Sequence, residues 1–282
     1  MEIPSYPNPE SSLTPEGQLG PLSPGEILSK AFSIYRTNAR KMWLAVAITV
    51  IPAQLLQLAI KTASVPAGWQ IMGGKLYLPA DNSGGFAATT LITAVIVYLV
   101  QLISLGAILR LVLDDLRGET TSLREALGFA VDRVLGMFWV ALLVAVTVLV
   151  GFLFIIIPGV YFLIGLCIAI PIVIAESLRG TKAMRRSFEL VRGRWWATLG
   201  RLLLLGLVVA VPAVLLTVLL APALVKGVGS SSPFLVFLVS AVIGILVSIL
   251  LTPFTTAFSA LIYVDLRARA EGPLDPHALV NY

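Results

Sequence analysis

The residues most able to bind a charged ligand form one basic, amphipathic segment at residues 181–196. Its large apolar side chains recur at helical spacing, so a helix would place them on one face: Met184, Phe188, Val191 and Trp195. Basic side chains surround that face: Lys182, Arg185, Arg186, Arg192 and Arg194. Each Lys or Arg beside an anionic leaflet contributes about 1 kcal/mol to membrane binding. The segment, including Trp195, is therefore predicted to contact anionic lipid headgroups or a protein partner, and the alternative is a helix that only anchors the topology.

One carboxylate next to this segment is predicted to form a defined ion pair. Glu176 follows an apolar run and directly precedes the basic helix. Three guanidinium groups are candidate partners: Arg185, Arg186 and Arg192. Other acidic residues after apolar stretches are interpreted as solvated interfacial charges, because exposed ion pairs contribute only about 0–1 kcal/mol. They are Asp114, Asp115 and Asp265.

The sequence contains few of the residues that enzymes usually use for catalysis. The only histidine, His277, lies in a tail near the end, and the only cysteine, Cys167, lies within an apolar run. One imidazole and one thiol are too few for a zinc site, and a Ser-His-acid triad would require the His277 tail to fold back. The sequence contains no Walker-type phosphate loop. We therefore expect no catalytic residues, no metal site and no cofactor.

The polar residues inside the apolar stretches are uncharged. Gln54, Gln101 and Thr255 are the main examples, and further hydroxyl side chains follow along the last stretch. Such groups commonly hydrogen-bond between membrane helices or within their own helix, which is the favoured interpretation. The alternative is a polar pathway along the last stretch. Proton coupling is hard to arrange because no Asp, Glu or Lys lies in the middle of a stretch.

Membrane-spanning helices must position all of these residues. The 282-residue chain is 58% hydrophobic and 12% charged, with a mean hydropathy of +0.95. Soluble domains carry about 25% charged residues, so this chain requires a bilayer around it. The sequence predicts an all-α membrane protein with one six-span domain at 23–269, a disordered tail at 1–22 and a second tail at 270–282. The spans are predicted at 42–60, 87–109, 134–157, 160–175, 202–220 and 234–264, with a tight turn at Pro158-Gly159.

Positive charge lies almost entirely on one side of these spans. Of the 20 Lys and Arg residues, all but Lys61, Lys75 and Lys226 fall on one face. Short cytoplasmic loops attract Lys and Arg, so both termini are predicted to be cytoplasmic. Nucleic-acid binding is not expected, because the basic residues lie beside apolar runs, where membrane topology alone predicts them.

The segments before the first, third and fifth spans resemble one another. Ala31, Ala126 and Ala183 each precede an aromatic residue by twelve positions. The first segment opens with the capping-box pattern Ser23-Pro24-Gly25-Glu26 and is predicted to be an amphipathic helix at the cytoplasmic interface. Three helical-hairpin repeats in the same orientation would explain these similarities. The alternative is that any interfacial helix before a span looks like this.

Several stretches resemble a known bacterial family. They are residues 158–161, 169–176, 183–196 and 263–272. These stretches are similar to the membrane domain of the glycerophosphoryl diester phosphodiesterase family, and the likeness covers about residues 22–272. In fused members of that family the hydrolase chemistry resides in a separate soluble barrel domain, which is not among these residues. The resemblance therefore implies a multi-pass protein of the bacterial inner membrane, without the diesterase activity.

The leading functional hypothesis is a non-enzymatic accessory or scaffold module that engages anionic lipid or a partner through its basic cytoplasmic helix. The alternative is a permease or lipid-moving transporter with a cavity between the hairpins. A membrane enzyme is a third hypothesis, which the missing catalytic groups disfavour. A continuous cavity lined by Gln54, Gln101 and the hydroxyls of the last span would favour transport, whereas a tightly packed bundle would favour the scaffold.

Overall fold

The computed structural model describes residues 18–63, 70–72, 75–77, 83–228 and 233–280. Within these ranges the fold is almost entirely helical, which confirms the predicted all-α class. The helices are α1 (Pro24–Ala63), α2 (Ser83–Leu116), α3 (Leu123–Phe154), α4 (Ile156–Gly165), α5 (Ala169–Ala175), α6 (Thr181–Val191), α7 (Trp195–Val228) and α8 (Pro233–Glu271). The predicted loop between the first two spans contains a small antiparallel hairpin of β1 (Gln70–Met72) and β2 (Lys75–Tyr77).

Six helical stretches of the described residues are long and apolar enough to cross a membrane. The chain is therefore a multi-pass membrane protein. The stretches are Pro24–Ile60, Ala87–Leu116, Leu123–Phe154, Ile156–Ala175, Trp195–Leu219 and Leu238–Glu271. Each overlaps one of the predicted spans, and several are longer because helical structure continues past the apolar part.

Helix α1 begins where the capping box predicts. The Glu26 N–H donates to the Ser23 hydroxyl at 3.3 Å, and the Ser23 N–H donates to the Glu26 carboxylate at 2.6 Å. The helix then runs unbroken for 40 residues to Ala63, so the predicted interfacial helix and first span form one rod. At 1.5 Å per residue the rod is about 60 Å long, twice the thickness of the hydrocarbon core. Part of α1 must therefore extend beyond the lipid.

The buried core lies at one end of the bundle, which we call the basic end because it carries Lys182, Arg185 and Arg186 of α6. The first half of α1, the last turns of α2 and α8, the start of α3, and helices α5 and α6 meet there. Helix α5 lies at the centre, with six of its seven residues buried. By contrast, α7 exposes Leu203, Leu207 and other apolar side chains along its length, as expected for a surface that lipid covers.

The turn between α3 and α4 lies earlier than predicted. Ile155 has an extended backbone and joins the two helices, whereas Pro158 and Gly159 lie in the first turn of α4. A proline is tolerated there because N–H groups of the first turn have no partner within the helix. The predicted fourth span is also interrupted, since residues 166–168 separate α4 from α5.

Close approach of two glycines holds α3 and α4 together. We expect Gly151→Ala to lower the free energy of unfolding by about 1–3 kcal/mol, because overpacking outweighs the better helix propensity of Ala. A Cβ at Gly151 would lie 2.9 Å from the Gly159 Cα, and backbone atoms cannot move aside as a side chain can. Unfolding in mixed micelles measures the change. Gly206→Ala on α7 is the matched control, because nothing lies within 4 Å of its added Cβ, and equal stability of the two variants would contradict the prediction.

The ends of the described chain are more ordered than the predicted tails. Residues 18–22 precede α1 without helical structure, and Leu19 exchanges two backbone hydrogen bonds with Leu274, at 2.8 and 2.9 Å. A short 3₁₀ helix at Pro276–Leu279 buries Leu279 against the core. These contacts place the two described ends side by side at the basic end. Residues 1–17 of the predicted tail lie outside the described residues.

The first two predicted hairpin units share equivalent contacts. In α1, Asn38 donates to the Asp115 carboxylate at 2.7 Å, and in α3, Arg133 donates to the Ser177 hydroxyl at 3.2 Å. Both donors lie seven positions after the repeated alanine, and both acceptors directly precede a Leu-Arg pair. The repeated alanines are fully buried: Ala31, Ala126 and Ala183. The third unit departs from this pattern because Leu190, seven positions after Ala183, has no side-chain donor.

Candidate lipid interface at the basic end

Helix α6 is held against the core by one face. Gly180 precedes it with a φ of 59°, and Gly193 follows it with a φ of 80°. These conformations favour glycine, and they let the backbone turn on either side of α6. The buried residues of the helix are Ala183, Ser187, Leu190 and Val191. The Ser187 hydroxyl donates to the Gly165 carbonyl at 2.8 Å, which fixes α6 to the end of α4 and satisfies a buried polar group.

The predicted basic set divides into two groups. Three members are exposed: Lys182, Arg185 and Arg192. Arg185 pairs with Glu189 at 2.9 Å, but its side chain stays 84% exposed, so the pair contributes at most about 1 kcal/mol. Arg186 and Arg194 are instead hydrogen-bonded to residues of other helices. The Arg194 guanidinium donates to the Arg269 carbonyl at 2.7 Å. The exposed group is therefore the part of the set that presents charge to the surroundings.

The predicted ion pair of Glu176 is formed with Arg186. The Arg186 Nε donates to the Glu176 carboxylate at 2.9 Å, and the Tyr263 hydroxyl donates to the same carboxylate at 2.9 Å. Arg186 also pairs with Glu271. Burial alone would lower the pKa of the Arg186 guanidinium, but its hydrogen bonds to Glu271 and Glu176 outweigh burial and raise that pKa above its ordinary value. This network ties α6 to the ends of α5 and α8.

Asp265 is fully buried, so its interpretation as a solvated interfacial charge is wrong. Its carboxylate accepts hydrogen bonds from the Arg269 Nε at 2.8 Å and from the Leu22 N–H at 2.7 Å. It also lies 2.8 Å from the Arg201 guanidinium, whose side chain is 4% exposed. Charges are buried in proteins only when they are paired and hydrogen-bonded, and these contacts meet that requirement.

The interpretation as a solvated interfacial charge is also wrong for Asp114. It is fully buried, accepts hydrogen bonds from Arg110 and Thr121, and lies 3.5 Å from Arg117. A local signal for both pairs is present in the sequence. Arg110 lies four residues before Asp114, and Arg269 lies four residues after Asp265, a spacing that places the two charges on one helix face. The buried partner Arg201 has no such local signal, because it comes from α7.

An aromatic cluster joins α6 to α4 and to the start of α7. The Tyr161 ring stacks on Trp195, with ring centroids 6.3 Å apart and an interplanar angle of 19°, and it lies 6.1 Å from the Phe188 ring. Phe188 covers Gly165 so closely that a Cβ there would fall 2.2 Å from the ring. Trp196 packs edge-on against Trp195 and remains 78% exposed. The prediction of one continuous helix over 181–196 is wrong, because α6 ends at Val191 and Trp195 begins α7. Of the predicted apolar face, Phe188 and Trp195 contact other aromatic rings, whereas Val191 is buried in the core.

Two surface cavities meet at this cluster. Both are lined by Tyr161 and Trp195. The first, of about 570 Å³, lies beside α6 and is lined by charged side chains, namely Arg185, Glu189 and Arg192. The second, of about 550 Å³, lies between α4 and α7, and its other lining residues are Ile156, Ile157, Val160 and Trp196. A charged cavity and an apolar cavity thus adjoin at the stacked pair.

The predicted intramembrane polar residues do not converge. Gln101 is exposed, Gln54 is half-buried, and Thr255 donates to a carbonyl of its own helix at 2.9 Å. A buried polar contact between helices is instead made by the hydroxyls of Thr49 on α1 and Ser104 on α2. Thr255 therefore follows the favoured interpretation of a hydroxyl that bonds within its own helix, whereas a packing role for Gln54 and Gln101 stays a prediction.

The chain matches no protein-family model, no curated protein and no solved structure. The resemblance to the glycerophosphoryl diester phosphodiesterase membrane domain therefore stays a prediction. In the part of the chain that the structure describes, no group of three or more His, Cys, Asp or Glu side chains is arranged to hold a metal ion. The features left to support a function are the exposed cations of α6, the aromatic cluster and the adjoining cavities.

Proposed function

We propose that the protein is a non-enzymatic membrane module that binds anionic phospholipid through the exposed face of α6. The observation that carries this proposal is the position of Lys182, Arg185 and Arg192. All three are exposed, and Arg185 and Arg192 line the same cavity as Tyr161, Phe188 and Trp195. Aromatic rings of this kind favour the membrane interface, where basic side chains meet lipid phosphates.

The same proposal includes the orientation. The basic end faces the cytoplasm of a bacterial inner membrane, and both termini lie there. Support comes from the distribution of Lys and Arg and from the backbone pairing of Leu19 with Leu274, which joins the two described ends. An accessory or scaffold role in the membrane is part of the same proposal.

Lipid titration of the purified full chain, followed by native mass spectrometry, tests the headgroup preference. We expect phosphatidylglycerol to bind more tightly than phosphatidylcholine. Replacing Arg185 and Arg192 together with Gln is expected to weaken phosphatidylglycerol binding about tenfold, since each cation contributes about 1 kcal/mol and Glu189 already offsets part of the Arg185 charge. Phosphatidylcholine binding should not change.

The matched control removes the same charge elsewhere on the basic end. Arg36 and Arg40 are exposed on α1, away from the aromatic cluster and the cavities. Replacing both with Gln should leave the phosphatidylglycerol preference within about twofold of the wild type. Equal loss in the two double variants would mean that net charge, and not the face of α6, attracts the lipid. No preference in the wild type would disprove the proposed function.

A further inference from the structure

We infer that the two adjoining cavities form one site for a single anionic phospholipid, with the headgroup beside α6 and an acyl chain between α4 and α7. The inference rests on the proposed function and deepens it, because it assigns the lipid to one defined binding site and not to a charged surface in general. The two cavities share the stacked rings of Tyr161 and Trp195. One ligand can therefore pass from the charged cavity to the apolar one across these rings.

The charged cavity has the groups that a lipid phosphate needs. Arg192 is exposed there and Arg185 supplies a second guanidinium, which Glu189 partly offsets at 2.9 Å. The Trp195 indole N–H is buried without an acceptor among the described residues. An unpaired buried donor is unfavourable, and a small shift of the ring on binding would let a phosphate or ester oxygen accept from it.

The apolar cavity identifies the ligand as a lipid and not a free anion. Its lining contributes no charged side chain, and Ile156 and Ile157 at the start of α4 are 71% and 77% exposed. A small anion would leave this cavity unused, whereas the acyl chain of a phospholipid would fill it. Because bulk lipid is as apolar as the cavity, the chain gains from van der Waals packing against the cavity walls and not from leaving water. The cavity therefore selects ligand shape, and the guanidinium groups select ligand charge.

Filling the apolar cavity without changing any charge tests the inference. Ile157→Trp adds bulk at a residue that lines the cavity, and its exposure means that the fold tolerates the change. In the lipid titration, the phosphatidylglycerol molecule that binds most tightly to the wild type is expected to bind this variant at least about tenfold more weakly. The control is Leu153→Trp, at an 83% exposed position on α3 near the same turn that does not line the cavity. We expect it to bind within about twofold of the wild type.

The outcomes separate this inference from the proposed function. If Ile157→Trp binds phosphatidylglycerol like the wild type while the Arg185 and Arg192 double variant does not, the headgroup interface stands and the acyl-chain site is wrong. If the wild type shows no anionic preference, both are wrong. In a separate experiment, inorganic phosphate competes with phosphatidylglycerol for binding to the wild-type protein. Displacement of the lipid by millimolar phosphate would identify a free-anion site and overturn the inference, whereas retention of the lipid supports it.

Discussion

Replacing Asp265 with Asn is expected to lower the free energy of unfolding by about 3–5 kcal/mol, the range for removing one partner of a buried ion pair. The substitution keeps the shape of the side chain but removes its charge. Arg201 would then remain buried with an uncompensated positive charge, because its side chain is 4% exposed and pairs with Asp265 at 2.8 Å. The Asn side chain would also accept weaker hydrogen bonds from Leu22 and Arg269. Unfolding in mixed micelles or the thermal midpoint measures the loss.

Two further variants make this result specific to the buried charge. Glu189→Gln removes a carboxylate from an exposed ion pair and should change stability by less than about 1 kcal/mol. Combining Asp265→Asn with Arg201→Met removes both buried charges and should recover part of the loss. A double variant that is no more stable than Asp265→Asn would show that the cost does not come from the unpaired guanidinium.

The second large effect is expected at Arg186. Arg186→Gln should lower the free energy of unfolding by about 1.5–3 kcal/mol, the usual contribution of hydrogen bonds to charged groups. The guanidinium bonds to Glu176 at 2.9 Å and to Glu271, and the Glu176 side chain is only 11% exposed. Without Arg186 the two carboxylates keep fewer partners, and α6 loses the ion pairs that connect it to Glu176 and to Glu271 at the end of α8. The same measurement of unfolding applies.

Arg185→Gln is the matched control, because Arg185 is the adjacent residue of the same helix with a side chain that is 84% exposed. It should reduce lipid binding more than stability, whereas Arg186→Gln should do the reverse. Arg186→Lys keeps the charge and should restore part of the stability. If Arg185→Gln and Arg186→Gln destabilised the protein equally, the assignment of Arg186 to a structural role would be wrong.

The features that the sequence predicts correctly depend on local patterns. The capping box of Ser23 and Glu26 forms because its partners are three residues apart. Glu176 and Arg186 find each other across a short connection, so the set of candidate partners was small. The six apolar stretches follow from composition alone. In each case the physical cause lies within a few residues or within one helix.

The features that the sequence does not reveal depend on distant contacts. Asp265 is buried because α7 supplies Arg201 and residue 22 supplies an N–H, and no pattern near Asp265 encodes those partners. The aromatic cluster brings Tyr161 onto Phe188 and Trp195 from different helices. The Pro158-Gly159 pair predicts a turn, but proline is equally typical of the first turn of a helix. Neighbouring helices decide between such alternatives, and the spacing of residues does not.

Because α1 packs on α8, the core cannot form until α8 has been synthesised. The N–H of Leu22 bonds to a carboxylate 243 residues later in the chain, and much of the buried face of α1 lies against the same helix. At ribosomal rates of about 5–20 residues per second, α1 waits roughly 12–50 s for that partner. During this interval its polar start and its half of the interface are open to chaperones and proteases. Synthesis of α8 is therefore the step that closes the core, and chains that stop before α8 are expected to be degraded.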